Sequence, residues 1–531
     1  MKKNLTKLCS ALIAVVFMAG LFTGCGGSGD KNADGTTIQQ KNGQAEGTTA
    51  TRSDSGDNSG TRKHLKIVIE VPDMPDVIGT KDRVTQYVMD KFNVEFEFIA
   101  PSYGEQMEKL RMIMASGSLP DMIHTWGTGD GDHNKWVKDG LIMDITSYLA
   151  DYPNVKAVTD NPNYQIWKAD DHWFGVPKYY ASMYPWGFQI RTDWLEKLNL
   201  KTPATTDELY DVLKAFVKAD PDGKKNVGLT DNFDFFISEF LVPAFTGISG
   251  WGLYNGEYIQ SIVHPGYMEY LKYMNKLYSE GLLDPDFMLN KDGNGVEKFL
   301  AGRAGVLSYN IDANIFNKTY DTLVQNFPNA KLGIMSPPKG PQGSFQPGSA
   351  IDANAMICFT ADAEPDKVKR MLEIMDFLYS EEGTTLTRYG IEGIHYTKDG
   401  DRFVVNEAEK KADMKKTGDI VWSTGPHVLS IIAAYDYTRF LAEDTPRREI
   451  LAPAYENALA AKTLSNPVTG YLPKSLENNG TKIADVLNTY VAKFITGKLN
   501  IDENWQKYLN DLDGAGYQEV KADMNKYLTS K

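Results

Sequence analysis

Hydrophobic and polar positions form an alternating series of strand-like and helix-like segments from residue 65 onward. A β-branched apolar run opens the series, and an amphipathic stretch, an alternating strand, a second helical stretch and a short apolar strand follow. The predicted elements are a strand at 65–71, a helix at 82–92, a strand at 94–99, a helix at 103–115 and a strand at 121–126. This order predicts an α/β fold, with a mainly parallel sheet covered by helices.

A second α/β region begins near Pro185. Its predicted elements are strands at 188–191, 227–230 and 304–309, helices starting at 192 and near 206, a strand around 357, a helix at 366–380 and mostly helix from about 430. Either Thr192 or Asp193 is expected to cap the first of these helices. Ligands of parallel sheets bind beyond the carboxyl ends of the strands. Trp126, at the end of the strand 121–126, is therefore a candidate binding residue.

The first 25 residues have the order of an export signal. Two lysines precede an apolar run at 8–22, which is shorter than the roughly 20 apolar residues of a transmembrane helix. Small residues and Cys25 follow. This order resembles a bacterial lipoprotein signal, in which residues 1–24 are removed and Cys25 carries the lipid. An ordinary secretory signal with an incidental cysteine is the alternative. The polar segment 25–62 is predicted to be a flexible tether.

Length and composition indicate a soluble protein of two or three domains. The chain has 531 residues, of which 42% are apolar, and no apolar run after the signal is long enough to span a bilayer. Membrane contact is therefore expected through the lipid anchor only. The formal net charge of −14 argues against nucleic acid as a partner, because phosphate binding needs clustered Lys and Arg. Cys358, in an apolar run, is expected to be a buried structural residue rather than a catalytic thiolate.

Aromatic side chains are the main candidates for ligand binding. The chain has neither the histidine spacing of a zinc protease, nor a nucleophile elbow, nor a phosphate loop, so no catalytic residue, metal or cofactor is predicted. Sugars present apolar C–H faces and polar edges, which suit Trp and Tyr faces backed by a few polar groups. The candidates are Trp126, Tyr179, Tyr180, Trp186, Trp251, Tyr309 and Trp422. Packing in a core is the alternative for each.

Polar candidates lie beside the same predicted strands. Arg191 can donate paired hydrogen bonds to a sugar carboxylate or to hydroxyls, and a salt bridge within its lobe is the alternative. Asn310 follows a strand, and Asp352 precedes the strand around 357. The segment 220–226 resembles a calcium loop but lacks the later acidic ligands, which favours a plain turn.

Five segments spread along the chain resemble one known family. They are SGSLPD at 116–121, IRTDWL and the following KL at 190–198, FLAGRAG at 299–305, YGIEGIHY at 389–396 and the tail at 505–516. Together with the lipoprotein signal, they make the chain similar to the extracellular solute-binding proteins, family 1, of bacterial ABC importers. Within that family, the chain resembles the long Gram-positive lipoprotein branch related to alginate-oligosaccharide-binding proteins.

The resemblance implies a type II periplasmic-binding-protein-like fold. Two hinge-connected α/β lobes, followed by C-terminal helices, would hold the ligand in the cleft between them. The N-terminal lobe would comprise 63–186 plus about 351–400, and the C-terminal lobe 187–350 plus about 401–531. The hinge crossings would lie at 185–191 and 355–360.

The implied function is binding without chemistry. A monomeric, lipid-anchored receptor on the extracellular face of the cell membrane would capture a carbohydrate, such as an oligosaccharide, and deliver it to ABC permease subunits. The residues themselves leave three alternatives open. These are a secreted glycan-active enzyme, such as a glycoside hydrolase or lyase, a surface adhesion or signalling lipoprotein, and a binding protein for a peptide or another small solute.

Overall fold

In a computed structural model, the chain is described over residues 62–71, 80–101, 106–178, 186–231, 237–291, 293–311, 313–345, 355–416, 428–429, 432–434, 443–444, 447–461, 464, 467–468 and 471–530. The first elements are β1 Leu65–Glu70, α1 Arg83–Phe92, β2 Val94–Ile99, α2 Gln106–Ser116, β3 Met122–Thr125, α3 Gly131–Lys138, α4 Pro153–Thr159 and β4 Val176–Pro177. The first five follow the strand and helix order that the sequence predicts for this region, and α3, α4 and β4 are additional elements.

The middle of the chain forms a second series. Its elements are β5 Trp186–Arg191, α5 Thr192–Leu198, α6 Thr206–Ala219, β6 Leu229–Asp231, α7 Ile237–Thr246, β7 Trp251–Tyr254, β8 Glu257–Gln260, α8 Pro265–Ser279, α9 Asn294–Leu300, β9 Val306–Asn310, α10 Ala313–Asn326 and β10 Leu332–Met335. The remaining elements are β11 Met356–Phe359, α11 Pro365–Leu378, α12 Glu381–Tyr389, β12 Tyr396–Asp399, β13 Arg402–Val405, α13 Glu407–Lys416, β14 Glu443–Asp444, α14 Arg448–Ala460, α15 Lys474–Ile495, α16 Ile501–Gly514 and α17 Tyr517–Thr529.

Local capping explains several of the helix starts. The Asp82 carboxylate accepts the Thr85 N–H at 2.6 Å and begins α1. Thr205 and Glu208 form a reciprocal capping box that begins α6. At α5, by contrast, the N-cap is Arg191 and makes no side-chain capping bond, so neither predicted cap is used. The Asp193 carboxylate instead accepts hydrogen bonds from Arg191 on both of its oxygens.

The first sheet has the strand order β2-β1-β3-β11-β4. β1 is parallel to β2 and β3, whereas β11 runs antiparallel to both β3 and β4. The second sheet has the order β10-β5-β9-β6, in which β5 is antiparallel to β9 and β10, and β6 is parallel to β9. The chain leaves the first sheet after β4, enters the second at β5, leaves it after β10 and returns to the first at β11.

Each sheet has its own hydrophobic core. The first core combines residues of β1–β4 and β11 with α11 and, later in the chain, Val428 and Ile432. The second combines one face of the second sheet with α6–α8 and the C-terminal helices. A third, smaller core covers the other face of the second sheet and includes Tyr309, Leu323 and Leu451.

The helices α15–α17 complete the second core. The Tyr508 hydroxyl donates to the Ile262 carbonyl at 3.1 Å, and the Tyr517 hydroxyl accepts the Gln260 N–H at 3.1 Å. Both tyrosine side chains are buried, so these helices form part of the folded body rather than an appendage. Within the described ranges, none of the helices has the length and apolar character needed to cross a membrane.

Candidate ligand-binding site

The passages between the sheets occur at the carboxyl ends of the parallel strands. In the first sheet, β3 ends at Thr125, which pairs with Met356 of β11, and Met356 in turn pairs with Pro177 at the end of β4. In the second sheet, β9 ends at Asn310, which pairs with Trp186, the first residue of β5. Since ligands of such sheets bind at the carboxyl edges, these two edges define the candidate site.

Trp126 lies at the first-sheet edge, directly after β3. Its side chain is half-buried, and its ring meets the His124 ring edge-on, with centroids 5.1 Å apart and an interplanar angle of 89°. The next residue, Gly127, has φ +72°, and a Cβ there would lie 1.9 Å from the Trp167 ring. A glycine is therefore required for the turn that follows Trp126, and this turn holds the indole at the end of the strand.

Two buried titratable groups lie directly behind Trp126. His124 is 2% exposed, and burial, with a smaller effect of the Lys178 charge, lowers its pKa to about 3. Its imidazole is therefore neutral at physiological pH. The Glu70 carboxylate accepts hydrogen bonds from the Gln106 side chain and the His124 N–H, both at 3.2 Å. Burial outweighs these bonds and raises the pKa of Glu70 to about 7.

A further set of buried polar groups, Asp130, His133 and Cys358, lies near the turn that follows Trp126. The Asp130 carboxylate accepts the Asp132 N–H at 2.9 Å at the start of α3, and burial raises the pKa of Asp130 to about 6. His133 Nδ1 lies 2.9 Å from the Thr125 hydroxyl oxygen. Cys358 is fully buried beside them, and burial raises the pKa of its thiol to about 12. The prediction of a structural cysteine is confirmed, since the thiolate is unavailable at neutral pH.

At the second-sheet edge, the backbone brings Trp186 and Asn310 into one cross-strand pair. These two predicted binding residues are therefore neighbours at the carboxyl edge, although they lie far apart along the chain. Tyr309 lies one residue inside this edge, opposite Gly187, and is buried in the third core. The structure therefore places Tyr309 in packing, the alternative that the sequence left open for each aromatic candidate.

Arg191 lies at the opposite end of β5 from Trp186, away from the candidate site. Its side chain is 1% exposed, and its guanidinium donates to Asp193 at 2.8 and 2.6 Å and to Asp222 at 2.7 Å. The guanidinium also lies 4.6 Å from the centre of the Trp194 ring. The expectation of a ligand-binding arginine is therefore corrected to its alternative, a buried ion pair within the second sheet's region.

Trp251 is also displaced from the candidate site. It begins β7, is 2% exposed and stacks on Tyr517 of α17 with ring centroids 6.0 Å apart. A Cβ at the neighbouring Gly252 would lie 2.7 Å from Ile248, so this glycine allows close packing rather than a mobile loop. The expectation that Trp251 contacts ligand is corrected, because its ring has no accessible face in this structure.

Several predicted residues lie outside the described residues. They are Tyr179, Tyr180, Asp352, Trp422 and the predicted lipidation site Cys25.

The segment 220–226 forms a turn held by protein donors. The Asp220 carboxylate accepts the N–H groups of Lys224, Lys225 and Asn226 at 3.0–3.2 Å, while Asp222 binds Arg191. Both carboxylates that a cation would need are thus already engaged. Across the described ranges, no three His, Cys, Asp or Glu side chains are grouped closely enough to hold a metal ion.

Lys178 is a further candidate at the first-sheet edge, and the sequence alone does not mark it. It follows β4, and its N–H donates to the Ala355 carbonyl at 2.9 Å, which extends the pairing of β4 with β11 by one residue. Its charge contributes to the lowered pKa of His124, which lies on β3, two strands away in the same sheet. No local pattern marks Lys178, because its position depends on pairing with a strand much later in the chain.

A sequence profile for bacterial extracellular solute-binding proteins matches residues 79–385. The chain belongs to this family. The family resemblance found in the sequence is confirmed, and so is the expectation of a binding protein rather than an enzyme. A second profile, for a domain of unknown function, matches residues 473–530. In this solute-binding protein, that segment corresponds to α15–α17.

Relatives and solved structures agree with the family. The polygalacturonan/rhamnogalacturonan-binding protein YtcQ of Bacillus subtilis (strain 168) is 24% identical over 521 residues, covering 96% of each chain. Lipoprotein LipO of the same organism is 23% identical over 441 residues, 80% of this chain and 84% of LipO. The crystal structure of alginate-binding protein AlgQ2 without calcium ion matches with a TM-score of 0.67 at 20% identity, covering 89% of this chain and 99% of AlgQ2. This match confirms the predicted α/β type II fold with C-terminal helices.

Proposed function

We propose that this protein is the lipid-anchored solute-binding component of an ABC importer, and that it captures an oligosaccharide between two lobes and delivers it to the permease. The observation that carries the proposal is Trp126, a half-buried indole at the carboxyl edge of the first sheet, where the chain passes to the second. An indole in this position offers a flat apolar face to a sugar ring beside buried polar groups.

The two lobes are the units that close on the ligand. Separate cores under the two sheets support lobes of 63–186 plus about 351–400 and 187–350 plus about 401–531. Val428 and Ile432 pack in the first core, which favours a first lobe that also includes 428–429 and 432–434. The hinge crossings are proposed at 185–191 and 355–360, where β5 and β11 begin. Trp186 and Asn310 would then lie at the second-lobe side of the cleft.

An oligosaccharide is the ligand class that the relatives favour. YtcQ is named for polygalacturonan and rhamnogalacturonan, and AlgQ2 for alginate. On this proposal Trp126, Trp186 and Asn310 contact the sugar, and Tyr179, Tyr180, Asp352 and Trp422 stay candidates for the same cleft.

Cys25 is the proposed anchor point. The name of LipO as a lipoprotein supports an attached lipid, and the family is extracellular. The protein would act as a monomer on the extracellular face of the membrane, with ABC permease subunits as its protein partners and no role for nucleic acid. Cys25→Ser should release the protein or leave it unprocessed, without diacylglycerol, and membrane retention like that of the wild type would contradict the anchor.

The proposed function is tested by following stability and sugar length together. The chain from residue 26 to its end is incubated with a panel of oligosaccharides. A bound ligand raises stability by RT ln(1 + [L]/Kd), about 2.7 kcal/mol at a hundredfold excess over Kd. A receptor should keep this melting-temperature shift for hours with the sugar intact. A shift that fades while the sugar is cut, or a shift given only by peptides, would overturn oligosaccharide capture.

A further inference from the structure

We propose that the first-sheet edge recognises an acidic oligosaccharide, with Trp126 as the platform for a sugar ring and Lys178 as the cation that binds the carboxylate of that sugar. This inference rests on the proposed function and adds the charge of the ligand to it. The sequence and the family membership leave that charge open.

The strand register places Trp126 and Lys178 in one row. Met356 of β11 pairs with Thr125 of β3 on one side and with Pro177 of β4 on the other. The next row of the sheet therefore consists of Trp126, Ala355 and Lys178. The bond from the Lys178 N–H to the Ala355 carbonyl continues this row. Neighbouring strands lie about 4.8 Å apart, so the backbones of Trp126 and Lys178 are about 10 Å apart. Among the described residues, Ala355 lies between them in this row, and its side chain is small.

Both side chains lie on one face of the sheet, together with His124. Alternate residues of a strand share a face, so Trp126 shares the face of His124, and Lys178 shares the face of Val176. Val176 and His124 both pair with Ile357, so all four side chains lie on the same face. The ring contact between Trp126 and His124 agrees with this assignment. The charge of Lys178 also contributes to the lowered pKa of His124, although burial contributes more. An aromatic face, an imidazole and an ammonium group therefore converge at one edge.

The imidazole has an unused hydrogen-bonding atom. His124 Nδ1 is buried, and no described residue donates to it or accepts from it. Buried polar atoms are paired in the great majority of cases, so an orphaned atom at a ligand-binding edge calls for a partner. Neutral imidazole offers one N–H donor and one acceptor nitrogen. A sugar hydroxyl or carboxylate above this face would complete the pairing.

The nearby acidic group does not oppose an anion on this face. Ile69 pairs with Met122, which shares the face of His124, so Glu70 lies on the opposite face. Its carboxylate is engaged there by Gln106 and by the backbone of His124. Among the described residues, Lys178 is the side chain to which we assign the ligand preference, through a charge-assisted hydrogen bond to the carboxylate.

The test compares acidic sugars with their neutral esters. Calorimetric titrations would use trigalacturonate, a mannuronate trisaccharide and the methyl ester of each, in which esterification removes the negative charges and adds only methyl groups. The proteins are the wild type, Lys178→Met, Lys178→Arg, and Lys138→Met, which removes an exposed lysine of α3 in the same lobe as a control. The wild type should prefer one acid over its ester by about tenfold or more. Lys178→Met should abolish this ratio, whereas Lys178→Arg and Lys138→Met should keep it.

Three outcomes would count against the proposal. Equal affinity of the wild type for acids and esters, or equal loss of both ligands in Lys178→Met, would overturn acidic recognition and leave oligosaccharide capture intact. Binding of neutral oligosaccharides alone would do the same. If no sugar, acidic or neutral, binds the wild type, the proposed function fails together with this inference.

Discussion

Trp126 and Trp251 show how differently one residue type serves two regions of this molecule. Each is next to a glycine, and the sequence predicts a sugar-stacking role for both. Trp251 lies in the second core, stacked on Tyr517, whereas Trp126 is half-buried at a strand end with buried polar groups behind it. What separates them is the set of neighbours brought from distant parts of the chain, and neither the residue nor its local sequence reveals that set.

Two buried polar clusters show the same contrast. Around Arg191, each guanidinium nitrogen donates to a carboxylate, so the cluster is satisfied by the protein itself. Behind Trp126, the His124 Nδ1 has no partner among the described residues. The protein itself pairs the Arg191 guanidinium, whereas His124 Nδ1 is the atom that our proposal pairs with a ligand. Substitutions in the core and at the sheet edge should therefore differ in their effects on stability and on sugar affinity.

Trp251→Ala should destabilise the protein by on the order of 4 kcal/mol, because it removes a buried indole and leaves a cavity beside Tyr517. Urea denaturation measures the loss. Trp126→Ala is the matched control, with a stability change below about 1 kcal/mol for a half-buried edge residue. Its oligosaccharide affinity should fall by about 1–3 kcal/mol. Equal stability losses in the two variants would remove the distinction between core and edge.

Arg191→Met should cost about 3 kcal/mol of stability, because it leaves the carboxylates of Asp193 and Asp222 without their buried partner. Arg191→Lys should restore only part of the loss, since an ammonium group cannot reproduce the paired geometry. Calorimetry of the folded fraction should show unchanged sugar affinity in both variants. A selective loss of affinity with stability retained would return Arg191 to the binding site.

The pKa of Glu70 is about 4.5 in the unfolded chain and about 7 in the folded protein. Glu70 should therefore make the free energy of unfolding fall as the pH rises from about 4.5 to about 7. In this range the folded protein holds a proton that the unfolded chain has released. The fall should be roughly 2–3 kcal/mol and should be absent from Glu70→Gln. Asp82 and Asp130, whose pKa values are raised to about 6, add similar falls. The difference between wild type and variant in urea denaturation therefore isolates Glu70, and parallel pH profiles would contradict its raised pKa.

Calcium and its removal should have the smallest effect, with no measurable change in melting temperature. The Asp220 carboxylate is occupied by backbone N–H groups and Asp222 by Arg191, so neither is available to a cation. Thermal denaturation with added calcium and with EDTA checks this expectation. A rise with calcium that EDTA reverses would show that the turn at 220–226 opens to bind the ion.

The fold was predictable from sequence to a greater extent than the site. Apolar runs such as 65–71 and 94–99 carry their periodicity locally, so the strand and helix order of the first region agrees with the structure. Lys178 gave no signal, because its neighbours come from β11 through a register that no local pattern encodes. The sequence leaves two interpretations of Arg191 open, because its partner Asp222 lies in a later segment that only the fold brings beside it.

Small-angle scattering with and without ligand tests capture between two lobes most directly. The chain from residue 26 to its end would be measured alone and with a saturating oligosaccharide identified by the melting-temperature screen. Closure about the proposed hinge crossings at 185–191 and 355–360 predicts a smaller radius of gyration with ligand, at unchanged mass and unchanged sugar length. Trp126→Ala should need more sugar to reach the same compaction. A radius of gyration that stays constant at saturation would contradict the account.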